Sequence, residues 1–349
     1  MYLQPIPSDI SIIAGNFGEL ITTGSKHRVV MEMDYGSDVW NGGNASIRLW
    51  CPPGSPAINT ANLGGIPWVI SVEGVQRFTG FLRKPAVERY YGGYMWTFPL
   101  QDCLIAWDVP LFNKTFPDPP VPSATYRVTE ALSSMCSTVA GLSGIPMYGA
   151  VPTNAALVQD LYEDGVLEIN QSTYLAEIER ICQNLGYRPF CDAAFQEVRL
   201  LDVTGGPQGE FTPDEDAIVS AAFARDHASI PASVLASDDS SGEAFAYGKH
   251  GTGANFNGGN FAITGINNLT WASTVGIKGA SLAEIAHKTY DLARGGSTNL
   301  SVVMAGPELL HRRIIGMGLN WGGGTYFTYA HHTHISASEY KTTYEAWGV

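Results

Sequence analysis

The chain has 349 residues and a net charge of −13, from 20 basic and 33 acidic side chains, with only 15% of its residues charged. Its Lys and Arg are not clustered, which argues against a groove that grips phosphates, and no apolar run approaches the roughly 18 residues of a membrane span. Thirty-nine glycines, 16 tyrosines and 8 tryptophans among so few charges predict a β-rich protein with much of its surface covered by neighbours.

The opening "MYLQPIPSDISIIAG" lacks a basic n-region and has a short apolar run. The expectation is no signal peptide and assembly in a cytoplasm. Residues 1–116 read as strands: "HRVVMEMDYG" (27–36), "ASIRLWC" (45–51), "PWVISVEG" (67–74), "QRFTGFLRKPAVERYY" (76–91) and "GYMWTFPLQD" (93–102). They are rich in β-branched and aromatic residues and punctuated by Gly, Pro and Asn. "VEGVQ" and "YYGGY" predict tight hairpins. The region is expected to form a small antiparallel barrel or sandwich.

The Pro-rich "KTFPDPPVPSATY" (114–126) marks a boundary, and residues 117–205 read as an α/β domain of two helices and a β-hairpin. Val128, Leu132, Met135, Val139 and Leu142 recur at helical spacing up to Gly144. A second helix is capped by Ser172, carries the apolar stripe Leu175, Ile178, Ile181, Cys182 and Leu185, and stops at Gly186. "YRPFCD" and "QEVRLLDV" follow as strands around a turn at Ala193–Ala194.

Residues 206–349 read as a second β-barrel domain with one helix and a long Gly/Asn-rich loop at 248–268. The helix starts at a capping box from Ser281 to Glu284 and ends at Gly295–Gly296. Strands "TNLSVVMAG", "RRIIGMGLNW", "TYFTYAHHTHIS" and "YKTTYEAW" close the chain, with a turn at Gly322–Gly324. The predicted fold class is mostly β with an α/β insertion (α+β).

The chemical signals are sparse. His331, His332 and His334 fall within four residues. On a strand, His332 and His334 share one face and His331 takes the other. HxH is a metal-ligand spacing, yet the only carboxylates close in sequence are Glu339 and Glu345. The histidines are therefore read as strand or interface residues, with no metal and no cofactor expected. Cys51, Cys103, Cys136, Cys182 and Cys191 are odd in number and contain no CxxC, which predicts reduced, buried thiols. "FTPDEDA" (211–217) and "SDDSSGE" (237–243) hold paired carboxylates but look like acidic loop tips. The Gly-rich "GKHGTG" and "GLNWGGGT" match no nucleotide-binding fingerprint. Glu284 and Lys288 are spaced as a helical ion pair. No constellation predicts an enzyme.

The order of elements says more than any motif. The N-terminal run "VEGVQRFTGFLRKPAVERYYGGYMWTFPLQDCLIAWDVPLF" leads through a helix and the helix–hairpin "TYLAEIERICQNLGYRPFCDAAFQEVRLLDV" to "YFTYAHHTHISASEYKTTYEAW". This resembles the tail hub proteins of long-tailed phages and related injection machines, including baseplate hubs and tail-associated proteins. The resemblance implies two tube-protein-like barrels, a homotrimer matching a sixfold tube, and a place in the virion tail. It implies as partners the distal tail or tail tube proteins, tip, spike or fibre proteins and a tape measure protein, with DNA only in transit. It also implies that His334, Tyr340 and Thr342 or Thr343 mark the last hairpin, and that His331, His332, His334, Tyr340 and Thr342 line an interface. The alternatives are a glycan-binding or glycan-cleaving virion β protein and, more remotely, a metal-dependent enzyme built on the three histidines.

Overall fold

The computed structural model describes residues 9–14, 19–22, 28–56, 58, 60, 63–116, 128–151, 167–225, 233–237, 244–248, 251–253, 269–273, 280–296, 298–306 and 313–348. The first strands are β1 (Ile10–Ala14), β2 (Glu19–Thr22), β3 (Val29–Asp38), β4 (Asn44–Cys51), β5 (Pro67–Val72), β6 (Val75–Leu82), β7 (Ala86–Tyr90) and β8 (Gly93–Asp102). A 3-10 turn at Cys103–Trp107 leads to β9 (Pro110–Phe116), α1 (Val128–Ser143), β10 (Leu167–Thr173), α2 (Tyr174–Leu185), β11 (Tyr187–Asp192) and β12 (Glu197–Asp202). Then come β13 (Glu210–Phe211), β14 (Ile218–Arg225), β15 (Ser233–Ser237), β16 (Ala244–Gly248), β17 (Gly251–Gly253), β18 (Leu269–Ser273) and α3 (Ala280–Gly296). The chain finishes with β19 (Thr298–Ala305), β20 (Gly318–Trp321), β21 (Gly324–Ser336) and β22 (Tyr340–Gly348). The fold is mostly β with an α+β middle.

Burial alternates residue by residue along β4 and β5, as it does on a strand with one face on a core. Their inward residues Ile47, Leu49, Trp68 and Ile70 meet Met33, Tyr35, Phe78 and Phe98 in one core. Two tight turns match expectation: Glu73–Gly74 and Tyr91–Gly92 take positive φ at both positions, as a two-residue hairpin of primed type requires. Gly322–Gly323 does the same between β20 and β21. The long strand expected at 76–91 divides, because Arg83–Pro85 interrupts it and yields β6 and β7, both paired to β8.

The middle region packs α1 and α2 on the 3-10 turn and on strands β9 and β10. Leu132, Met135 and Val139 are buried as the spacing predicts, whereas Leu142 is 62% exposed one turn beyond the core. The cap of α2 is Thr173, not Ser172: its side-chain oxygen accepts from the Ala176 amide at 3.2 Å. Gly186 ends the helix at φ 74°, where a Cβ would lie 2.8 Å from Lys288 and Thr204. The hairpin β11–β12 turns through the four residues Ala193–Gln196 rather than two, with Gln196 at positive φ. All five cysteines are buried and free, and burial pushes the Cys136 thiol up to about 12.

In the last region α3 packs on a four-stranded sheet ordered β17-β16-β15-β18. Ser281 is a helical residue inside α3, not its cap. Lys288 Nζ donates to Thr204 Oγ1 at 2.7 Å rather than pairing along the helix with Glu284. Most of 248–268 and residues 238–243 lie outside the described residues. The "RRIIGMGLNW" strand shortens to β20, residues 313–317 before it forming turns and a bend.

One long sheet runs β14-β19-β22-β21-β3-β4-β8-β6-β5-β1-β2, so N-terminal and C-terminal strands share one ladder through the antiparallel pair β21–β3. A second tie joins the middle region to the last strands. Arg199 Nη2 donates to the Ile315 carbonyl at 2.6 Å, and Arg313 pairs with Glu197 while lying 3.7 Å over the Tyr148 ring. Asp192, 5% exposed, sits among these cations.

Candidate functional site

The register of β21 on β3 places His334 opposite Asp34, His332 opposite Gly36 and Ser336 opposite Glu32. Alternation turns Thr333 and Ile335 into the core and leaves His332 and His334 on the outer face. The neighbouring strand β22 sets Lys341 opposite His334. Gly36 is needed here: a Cβ would run into the His331 carbonyl and lie 3.1 Å from His332 Nδ1.

Two imidazoles converge on one carboxylate. His334 Nδ1 is 2.7 Å from Asp34 Oδ1, and His332 Nε2 is 3.3 Å from the same oxygen. Around them Arg48 pairs with Glu32 at 2.9 Å and Lys341 with Glu339 at 2.8 Å. The Lys341 ammonium holds the Glu339 carboxyl below its ordinary value. The result is a half-exposed strip of alternating charge along the seam. Beside it a pocket of about 130 Å³ is lined by Asp38, His331, His332 and Glu345. There Tyr329 Oη donates to Glu345 at 3.0 Å, and burial, then the Glu345 charge, raises its phenol pKa.

Of the five residues expected at an interface, His332 and His334 lie together on the surface and His331 is on the opposite side of the strand, half-buried. Tyr340 belongs to the first core, 5% exposed. Thr342 is fully buried; its hydroxyl shares a 3.0 Å hydrogen bond with Thr333 and donates to the Gly306 carbonyl. With no surface to offer a neighbour, these two hold the hairpin rather than an interface. Sequence reasoning missed Asp34, Glu32 and Gly36, which lie some 300 positions from the histidines; no local spacing could have found them. "FTPDEDA" is structural: Asp214 caps the turn Glu215–Ala217 by accepting from the Asp216 amide.

A second feature is backbone. The edge strand β14 is exposed along nearly its whole length, with Val219 and Phe223 more than half in water. Among the described residues it pairs with β19 alone. β7 is likewise exposed throughout, pairs there with β8 alone, and carries Val87, Tyr90 and, just beyond, Tyr91 on its surface.

This architecture, from the first strands to the last hairpin, is similar in fold to solved phage-type tail proteins. The chain superposes on a tail protein from Neisseria meningitidis MC58 with a TM-score of 0.66 at 12% identity, covering 97% of this chain and 96% of that one. It superposes on the 43 kDa tail protein of prophage MuSo2 from Shewanella oneidensis with a TM-score of 0.65 at 11% identity, covering 97% and 98%. Prophage tail protein gp18 from Listeria monocytogenes gives 0.54 at 9% identity over 97% and 94%. No protein-family profile and no curated protein sequence matches the chain.

Proposed function

We propose that this chain is a structural, non-enzymatic subunit of a phage-type virion tail, acting as the hub at its distal end. The observation that carries the reading is likeness to whole tail proteins across nearly the full length of both chains. Three copies close a ring that joins the tail tube to the tip or baseplate proteins, and DNA passes through its centre. The edges of β14 and β7, each with one strand partner among the described residues, support this. Unpaired edges invite pairing, and one copy's β14 can take the next copy's β7 in a head-to-tail contact that closes by rotation. Ala221, Ala222 and Ala224 on β14 leave room for the large side chains of β7. A net charge of −13 suits a channel wall that does not hold DNA.

A glycan-binding reading draws on a groove of about 430 Å³ lined by Phe223, Tyr326, Asp291 and Arg225. Its tryptophan, Trp347, is only 5% exposed and stacked on Phe327 at 5.0 Å, which leaves it little face for a sugar.

Negative-stain electron microscopy of the concentrated chain is expected to show threefold rings with a central hole. Ala222→Pro, which puts a ring and no donor into the edge strand, is expected to leave folded monomers. A wild-type monomer that binds polysaccharide overturns the hub reading.

A further inference from the structure

The seam brings together what the sequence alone lacks: a third and a fourth ligand for the HxH pair. His334, Asp34 and Glu32 offer donor atoms that all lie within 4.8 Å of one another, and His332 reaches the same Asp34 oxygen at 3.3 Å. We propose that the β3–β21 seam binds a divalent first-row transition metal of the zinc class, held by His332, His334, Asp34 and, on release from Arg48, Glu32. The inference does not depend on ring assembly.

The donor set selects the ion. Two imidazoles with carboxylate oxygens suit zinc, cobalt, nickel or copper, whereas calcium and magnesium take oxygen ligands. Charge balances as well, since two neutral imidazoles and two carboxylates offset a 2+ ion. Distances are close to what is needed. Metal–ligand bonds of about 2.0–2.2 Å in a tetrahedron put neighbouring donors roughly 3.3 Å apart. The His332–Asp34 separation is already 3.3 Å, and the 2.7 Å His334–Asp34 contact must open by about 0.6 Å. His332, with 51% of its side chain exposed, can turn to meet the ion, and the missing Cβ at Gly36 leaves that path free.

Two cations oppose binding. Arg48 holds Glu32 from β4, and Lys341 stands opposite His334 on β22, drawn aside by Glu339. Arg48→Gln is therefore expected to tighten the site by freeing Glu32. The bound ion would bridge β3 and β21, clipping two distant stretches of the chain together.

The test is a cobalt titration of the full, untagged chain followed by visible absorption, with zinc as competitor. The expected result is one equivalent of cobalt with the ligand-field bands of a nitrogen–oxygen site, displaced by zinc, and a raised thermal midpoint in zinc. His332→Asn, at a half-exposed position that leaves the fold intact by circular dichroism, is expected to weaken binding at least about tenfold. Asp34→Asn should do the same. Absence of cobalt bands, or affinity unchanged in both variants, overturns the proposal.

Discussion

The seam and the buried clamp both tie the last strands to earlier chain through carboxylates and nitrogen-bearing side chains, but they stand in different media. At the seam His334 and Asp34 keep a fifth to a third of their side-chain surface in water. At the clamp Arg199 and Asp192 are 9% and 5% exposed. Burial lowers the Arg199 pKa and lifts that of Asp192 to about 6, with the Arg199 charge only partly opposing the lift. Charges in water cost little to keep and little to lose. Buried charges are costly to install and costly to orphan. The clamp is therefore committed to holding the fold, while the seam has side chains available to a ligand or a neighbour.

The largest expected effect tests the buried side. Arg199→Ala strips Asp192 of the cation that most favours its charge and the Ile315 carbonyl of a donor, and should cost about 3–5 kcal/mol in denaturant unfolding. A loss under about 1 kcal/mol would place the clamp in the same class as the seam.

Next comes pH. Asp102 is 1% exposed, and burial raises it from 3.8 to about 7 despite hydrogen bonds from the Gly43 and Leu104 amides. Its folded value lies above its unfolded value, so the folded state holds the proton more tightly. Its contribution is full below about pH 4, declines as pH rises through the window to 7, and is flat above. At about 1.36 kcal/mol per pKa unit the amplitude reaches at most about 4 kcal/mol. Asp192 adds a smaller term of the same sign ending near pH 6. Asp102→Asn should flatten the slope between pH 4 and 7 in unfolding titrations. An unchanged slope would assign it to other groups.

The smallest effect belongs to the seam. His334→Gln should cost under about 1 kcal/mol in the absence of metal. A larger loss would mean that the seam, too, is structural.

Much of the fold was legible where the information is local. β-branched and aromatic content marks β4 and β5, the glycine at the second turn position marks three hairpins, and the Ile178–Leu185 stripe with Gly186 marks α2. Errors were local as well. Ser172 and Thr173 are both hydroxyl caps one residue apart, and backbone register, not composition, chooses Thr173. The candidate site was half legible. HxH gives the two imidazoles and their shared face, but Asp34 joins them only through the β21–β3 register, a tertiary fact with no local trace.

The first hydrophobic core has a consequence for synthesis. Ile335 and Tyr340 are buried there beside Met33 and Phe98, yet they leave the ribosome about 300 residues after Met33. Until then the N-terminal strands carry a core with two of its side chains missing and a β3 edge without β21. Such non-local closure is slow, and in the meantime β3 is open to any other strand. The β21–β22 hairpin is thus a latch on strands made long before it, and a nascent subunit stays vulnerable to mispairing until that latch arrives.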